Sequence, residues 1–278
     1  MSSLQLTLLI FGIMLAFMAI RVPISVAMFA AGGIGYVMQT GWVPFANFLN
    51  SQAFARFASY DLSVIPLFIL MGHFATQGGI SKALFDFAAG VMGRFKGGLA
   101  MAAVLACAAF GAICGSSVAT AATITGVALP EMKRHGYSGR LSTGTLAAGG
   151  TLGILIPPSV NMIIYGSLTD TSIGKLFIAG IIPGFIVVTL YIAYILWVAF
   201  KHPERVGEGE NLPLAQQNAR ASYAKAESED LRTIFYSTVG ILILVALVLG
   251  GIWLGVFTPT EGAGVGAALS LVLALMRG

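Results

Sequence analysis

Long apolar runs separated by short polar segments dominate the chain. Five of these runs approach the about 20 residues that a helix needs to cross a bilayer. They are Leu4–Ile20, Ile24–Thr40, Leu62–Gln77, Phe177–Phe200 and Ile234–Leu254. The third run is interrupted by Pro66, and the first lacks a basic start and a cleavage site. The pattern therefore predicts several transmembrane helices, the first of which is not a removable leader.

Two segments between these runs have a different character. Trp42–Tyr60 mixes aromatic and polar residues, which is typical of an interfacial segment rather than a span. In Ile80–Phe95 the apolar residues recur at helical spacing, at Ile80, Leu84, Phe87, Val91 and Phe95. This pattern predicts an amphipathic helix that lies in the membrane interface or packs on protein, and the sequence leaves both open.

The stretch from Gly97 to Glu131 is almost uncharged but too long for one crossing. A single helix of this length would measure about 52 Å, whereas the hydrocarbon core is about 30 Å thick. Basic residues flank both ends, and Gly115–Thr120 forms a small, polar middle. We therefore predict a re-entrant helical hairpin whose tip lies inside the membrane, with two short crossings as the alternative.

A second interruption falls in the apolar stretch Ser142–Leu168. Its middle, Gly153–Ser159, contains the pair Pro157-Pro158, which removes two amide donors and disfavours helix before it. We predict a discontinuous transmembrane helix. The polar loop 201–232 follows the next span, and Thr258-Pro259-Thr260-Glu261 opens a last helix, Gly262–Met276.

Composition places the chain in one class. Hydrophobic residues make up 57% and charged residues 9%, against about 25% charged in soluble domains, and the mean hydropathy is +0.90. These values exclude a soluble enzyme, a disordered chain and a disulfide scaffold, and the long apolar runs exclude an outer-membrane barrel. Cys107 and Cys114 are expected to be small buried residues. The fold class is an all-α polytopic membrane protein.

The basic residues predict an orientation rather than a nucleic-acid partner. Placing the amino terminus in the periplasm and alternating the spans leaves thirteen of the 15 Lys and Arg residues in the cytoplasm. Only Arg56 and Lys175 fall outside. Cytoplasmic loops of membrane proteins carry such an excess, so the net charge of +4 reflects topology.

The two polar breaks carry the candidate chemistry. Half-helix ends inside a membrane offer carbonyls to cations and amides to anions. The candidate ion and substrate site comprises Gly115, Ser116, Ser117, Thr120, Thr151, Gly153, Pro157, Pro158, Ser159 and Asn161. Its neutral oxygens suit an alkali cation, with Na⁺ assigned to Ser116, Ser117 and Asn161. The alternative is that these Ser and Thr side chains only pack helices together.

Catalytic residues are not indicated. The sequence contains no GxSxG, HExxH or Walker pattern, so we do not expect an enzyme. Glu261 follows Pro259 at a helix start, where a carboxylate complements the dipole. We expect a helix cap there, and a gating role is the second interpretation.

Several motifs resemble the large membrane subunit of tripartite ATP-independent periplasmic (TRAP) transporters. The resemblance covers essentially all 278 residues, and the motifs together are highly specific. They are Pro66–Gly72, Gly78–Ser81, Gly111–Thr120, Pro130–Tyr137, Gly149–Ser159 and Phe257–Glu261.

The resemblance implies the inverted-repeat fold of the ion-transporter superfamily. Residues 1–60 would be scaffold helices with the interfacial segment, and 61–96 a third span with an arm helix. Residues 97–168 would be transport elements, namely the hairpin 97–131 and the broken helix 142–168. A further span would follow at 176–200, a cytoplasmic loop at 201–232, and the start of the second repeat at 234–278. The family's subunit is longer, so the chain is expected to be a fragment or a truncated form.

The resemblance also implies a function. The expected activity is Na⁺-driven import of an organic acid, a carboxylate, by an elevator-type movement across the bacterial inner membrane. The expected partners are a small membrane subunit, a periplasmic substrate-binding protein and the lipid bilayer, with no nucleic acid and no cofactor besides the coupling Na⁺. Two alternatives stay open: a stand-alone secondary anion or citrate carrier, and a non-transporting assembly subunit.

Overall fold

The computed structural model describes residues 3–57, 60–207 and 231–277, and the chain divides into two units, 1–59 and 60–278. In the first unit, α1 (Ser3–Ala19), α2 (Ile24–Thr40) and α3 (Trp42–Phe57) follow one another. The middle helix α2 packs against both of its neighbours. It buries a row of small residues, Ala27, Ala31 and Gly35, four positions apart, because small side chains allow close approach of helices.

The second unit contains the remaining helices of the described part. After a 3₁₀ turn at Tyr60–Ser63 these are α4 (Val64–Gln77), α5 (Ile80–Met92), α6 (Gly98–Cys114), α7 (Ser117–Arg134), α8 (Gly139–Leu155), α9 (Val160–Thr169), α10 (Ile173–Lys201), a 3₁₀ turn at Pro203–Arg205, α11 (Leu231–Trp253) and α12 (Pro259–Arg277).

Several of these helices are long and apolar enough to cross a membrane. Among the described residues they are the α8–α9 pair, α10 and α12, and α4 with α5 forms a fourth candidate that is bent by 67°. This arrangement confirms the predicted class of an all-α polytopic membrane protein. The span predicted at Phe177–Phe200 is part of α10, which begins four residues earlier.

Helix α6 is the centre of the second unit. Most of its residues are buried around the whole circumference, as expected for a helix that is apolar on every side. Helices α4, α5, α7, α8 and α10 all pack against it. Because neighbouring helices surround α6, its carboxyl end at Cys114 is held in a fixed position.

The prediction that Pro66 interrupts the third apolar run is wrong. Helix α4 begins at Val64, so Pro66 lies in its first turn. The amide hydrogens of the first turn have no acceptor within the helix, so proline costs no hydrogen bond there. Pro66 therefore begins the helix instead of breaking it.

The predicted apolar face of the arm helix is partly wrong. The buried residues of α5 are Ile80, Ser81, Leu84, Phe85, Ala88 and Ala89, and the helix packs against α6, α7 and α11. Val91 is 38% exposed, and Phe95 lies beyond the last helical residue and is 50% exposed. The contacts favour packing on protein, because alanines that count weakly in a hydrophobic pattern can still pack closely.

The predicted cytoplasmic loop 201–232 is described only at its two ends. Residues 208–230 lie outside the described part of the chain. At the near end, Tyr137 and Val206 form an isolated antiparallel bridge, and the Ser138 amide donates to the Arg205 carbonyl at 2.9 Å. These bonds attach the end of α10 to the beginning of α8.

Candidate functional site

The first element of the site is the connection between α6 and α7. Gly115 has φ +62°, a left-handed conformation that glycine adopts without steric cost. Its amide donates to the Gly111 carbonyl at 2.9 Å and closes α6 in the manner of an αL cap. Ser116 then caps α7, because its Oγ accepts from the Ala119 amide at 3.4 Å. A two-residue connection thus joins two helices that pack on each other, as in the predicted hairpin.

The second element is the break between α8 and α9. Leu155 ends α8, and Ile156-Pro157-Pro158 leads to Ser159, whose Oγ accepts from the Met162 amide at 3.5 Å. The same hydroxyl donates to the Ile154 carbonyl at 2.7 Å, so this fully buried serine joins the two half-helices. The break is shorter than predicted, because Gly153–Leu155 belong to α8.

The two caps share one backbone geometry. Ser116 has φ −132° and ψ 125°, and Ser159 has φ −132° and ψ 124°. In each case the serine follows a short irregular connection and starts a half-helix. The amides in the first turns of α7 and α9 therefore have the same arrangement at two places in the chain.

The structure brings these two breaks into direct contact. The Val160 amide donates to the Gly115 carbonyl at 3.4 Å. A Cβ atom on Gly115 would lie 2.8 Å from the Pro158 carbonyl oxygen. The tip of the α6–α7 connection therefore lies directly against the α8–α9 break.

Close packing of glycines fixes this contact. A Cβ atom on Gly153 would lie 2.7 Å from the Ser116 carbonyl oxygen, and one on Gly111 would lie 2.7 Å from the Gly153 Cα. Gly150 has a similarly close neighbour in Ala121. Gly111 and Gly150 were not among the predicted site residues. The spacing of four in Gly149-x-x-x-Gly153 and Cys107-x-x-x-Gly111 is the signal that could have found the α6–α8 contact.

The remaining predicted residues are divided between three environments. Thr120 is fully buried, with its Oγ1 3.0 Å from the Cys114 Sγ. Ser117 is half-buried, and Asn161 is exposed in the first turn of α9. Thr151 is exposed on the face of α8 that is turned toward α10. Its Oγ1 donates to the Ala148 carbonyl and lies 3.3 Å from the Tyr191 hydroxyl. The assignment of Na⁺ ligands stays a prediction.

The electrostatics of the paired breaks come from the backbone. The helices α6 and α8 end here with carbonyls that have no amide donor in their own last turns. The helices α7 and α9 begin here, so the positive ends of two helix dipoles point at the same place. The predicted site residues around the breaks are all uncharged. Such an arrangement can coordinate a small cation through carbonyls and hydroxyls and hold an anion at the amides.

Glu261 forms a helix cap. Its Oε2 accepts from the Thr258 amide at 2.8 Å, and the Glu261 amide donates to the Thr258 Oγ1 at 3.3 Å. This reciprocal pair is a capping box at the start of α12. The capping interpretation is confirmed, and a gating role is not tested by this geometry.

Residues 11–278 match the family model of the tripartite ATP-independent periplasmic transporter, DctM component. This chain belongs to that family. The match confirms the resemblance and favours a TRAP permease over the stand-alone carrier. The chain is therefore a multi-pass membrane protein.

Relatives support the same assignment. The chain is 42% identical to the C4-dicarboxylate TRAP transporter large permease protein DctM of Pseudomonas aeruginosa, over 82% of this chain and 49% of the relative. It is 36% identical to the protein of the same name in Vibrio cholerae, over 96% and 55%. It is 31% identical to the sialic acid TRAP transporter permease protein SiaT of Haemophilus influenzae, over 98% and 41%. The chain thus spans about half the length of the curated relatives it matches, and their names as permeases point to a protein that is not an enzyme.

Proposed function

We propose that this chain is part of the large membrane subunit of a TRAP transporter that imports an organic acid across the bacterial inner membrane, driven by Na⁺. The observation that carries the proposal is the contact between Val160 and Gly115, which places the tip of the α6–α7 hairpin against the break between α8 and α9. Broken helices that meet near the middle of a membrane are the usual construction of ion-coupled substrate sites.

The chemistry of the site supports an anionic substrate together with a cation. The first turns of α7 and α9 present amides with partial positive charge, which favour a carboxylate. The last turns of α6 and α8 present carbonyls, and Ser117 adds a half-exposed hydroxyl. Oxygen ligands without formal charge suit Na⁺ better than a divalent metal. The relatives named for C4-dicarboxylate and sialic acid act on carboxylates, which is consistent with this substrate class.

The packing also supports movement of the site as one body. Helices α6, α7 and α8 pack against one another through glycines and alanines, and Ser159 holds α9 to α8. We propose that these helices carry the ion and substrate together in an elevator-type movement. The proposed partners are a small membrane subunit and a periplasmic substrate-binding protein, and the amino terminus is proposed to face the periplasm.

The test is the Na⁺ dependence of uptake after removal of side-chain oxygens. Ser117→Ala and Asn161→Ala are placed in the natural gene, in cells that carry the genes of the partner subunits. Loss of an ion ligand costs on the order of 1–3 kcal/mol, which corresponds to a rise of about 5- to 150-fold in the Na⁺ concentration for half-maximal uptake. Thr143→Ala is the matched control, because this exposed hydroxyl on α8 bonds only to backbone carbonyls of its own helix.

Uptake of radiolabelled substrate is measured over a series of Na⁺ concentrations at constant ionic strength. The proposal requires both site variants to shift the Na⁺ curve and the control to leave it unchanged. If the site variants keep the original Na⁺ dependence, the serine and asparagine only pack helices. If uptake does not depend on Na⁺ at all, the coupling itself is refuted.

A further inference from the structure

A cavity of about 510 Å³ lies away from the paired breaks. It is enclosed by α6, α8, α10 and the 3₁₀ turn Pro203–Arg205. Its lining includes Arg140 and Arg205 together with four hydroxyl side chains, those of Ser138, Thr145, Tyr191 and Tyr194. None of these residues belongs to the predicted ion and substrate site.

The two arginines are brought to one end of the cavity by the backbone. Arg140 is the second residue of α8, and the Ser138 amide donates to the Arg205 carbonyl at 2.9 Å. Within the described ranges, neither guanidinium group has an acidic partner, although Arg134 pairs with Glu131 and His202 lies beside Glu204. The first turn of α8 adds the positive end of its dipole at the same place. This end of the cavity is thus suited to a negatively charged group.

The other end of the cavity lies deeper, and small apolar residues line it together with the Thr145 and Tyr191 hydroxyls. Along α8 the lining runs from Ser138 to Ala148, which is about 15 Å at 1.5 Å per residue. Along α10 the lining extends from Val198 back to Tyr191, which is about 10 Å at the same rise per residue. Ile195 and Leu141 contribute aliphatic side chains between the two ends. The cavity therefore combines a cationic mouth with a mostly apolar channel.

The residues next to the mouth are of the kinds that are typical of a membrane interface. At the end of α10, the Lys201 Nζ lies 5.0 Å from the centre of the Trp197 ring, and the Lys96 Nζ lies 5.9 Å from that of Phe200. Lysines and tryptophans concentrate where hydrocarbon meets head groups. Tyr194, which is 59% exposed, lies less than one helical turn before Trp197 and lines the cavity. The cavity therefore lies beside an exposed, apolar face of α10 that is suited to contact lipid.

We propose that this cavity binds a phosphate group, and that the phosphate belongs to an anionic phospholipid. The forked guanidinium groups of Arg140 and Arg205 match phosphate oxygens in geometry and charge. An acyl chain would then follow the apolar channel between α8 and α10. Basic pockets between transmembrane helices on the cytoplasmic side bind such head groups in other membrane proteins. The arginine end of this cavity lies on the predicted cytoplasmic side. The lipid would hold α10 to α8 at one level of the bilayer.

Native mass spectrometry of the purified chain, after exchange into detergent with phosphatidylglycerol or phosphatidylcholine, tests the proposal. We expect retained phosphatidylglycerol, and at least a tenfold weaker retention in Arg140→Gln/Arg205→Gln. The matched control is Arg94→Gln/Lys133→Gln, which removes two exposed basic residues from the same predicted face without touching the cavity. Equal losses in both double variants, or no loss in either, would overturn the proposal.

A second variant guards against a folding defect of the arginine variant. Gly144 lines the cavity, and a Cβ atom there would have no neighbour within 4 Å, so Gly144→Leu fills the channel while leaving both arginines in place. Lipid retention should fall at least threefold in this variant, and unchanged retention would refute the acyl-chain channel. A third measurement adds inorganic phosphate to lipid-free protein. If phosphate raises the melting temperature while phosphatidylglycerol is not retained, the source of the phosphate is the solution and the lipid assignment is wrong.

Discussion

Replacing Gly153 by alanine perturbs the contact that holds the two breaks together. The added Cβ would lie 2.5 Å from the Thr120 Oγ1 and 2.7 Å from the Ser116 carbonyl oxygen. One of these neighbours is backbone, and the other is a fully buried side chain, so neither can move freely. Forcing one extra carbon into such a packed place costs about 1–3 kcal/mol.

The loss of stability in Gly153→Ala is compared with the effect of the same substitution at Gly144, which has no close neighbour. Gly144 lies on the same helix, and a Cβ atom there has no neighbour within 4 Å. Alanine favours a helix over glycine by about 0.5–1 kcal/mol at either position. This gain is common to both variants, so the difference between Gly153→Ala and Gly144→Ala isolates the steric cost. We therefore expect Gly153→Ala to be about 1–3 kcal/mol less stable than Gly144→Ala.

Thermal unfolding in detergent, followed by tryptophan fluorescence, measures this difference. A protein of this size shifts its melting temperature by about 2–4 °C per kcal/mol, so the two variants should differ by about 2–12 °C. Thr120→Ala in the Gly153→Ala background removes one of the clashing atoms and should restore part of the loss. Equal melting temperatures for Gly153→Ala and Gly144→Ala would refute the close contact between α8 and the α6–α7 tip.

Two further predictions concern the cap and the topology. Ser159→Ala removes the cap of α9 and a buried hydrogen bond to the Ile154 carbonyl, so stability should fall by about 1–2 kcal/mol. Thr143→Ala removes an exposed hydroxyl and should change stability by less than about 0.5 kcal/mol. Similar losses of stability in Ser159→Ala and Thr143→Ala would contradict the capping role of Ser159. In a background without native cysteines, Lys175→Cys should react with an impermeant thiol reagent on intact cells, whereas Lys133→Cys should react only after permeabilisation. Reaction of Lys133→Cys from outside would invert the predicted orientation.

Helix identities followed directly from the sequence. Apolar helices were predicted at α1, α2 and α10 because of the length of their apolar runs. Helix α10 is long enough to cross a bilayer, whereas α1 and α2, with 17 residues each, stay predicted spans. A break was predicted within Gly115–Thr120 because the uncharged stretch is too long for one crossing and has a small polar middle, and one within Gly153–Ser159 because the proline pair disfavours helix before it. The structure confines these breaks to Gly115–Ser116 and Ile156–Ser159. The capping box at Thr258 and Glu261 is equally local, since both hydrogen bonds lie within one helical turn. Such features need no partner from elsewhere in the chain.

The position of a proline or an apolar stripe relative to its neighbours was harder to predict. Pro66 was placed inside a span although it lies at the start of α4, because a proline in a first turn and one in a helix middle give the same local sequence. The buried face of α5 includes Ser81 and Ala88 rather than Val91. Burial of such small residues depends on which helices cover them, and a hydrophobic pattern does not contain that information.

The sequence by itself determined an all-α membrane protein with one helical hairpin and one broken helix, because length, hydropathy and backbone chemistry act locally. Only the tertiary structure decided that the two breaks touch, through Val160 and Gly115, and that Thr151 points toward Tyr191 instead. It also brought Arg140 and Arg205, 65 positions apart in the chain, to one cavity. Contacts of this kind depend on how closely helices approach, which is set by paired surfaces such as Gly111 against Gly153 and not by either segment alone.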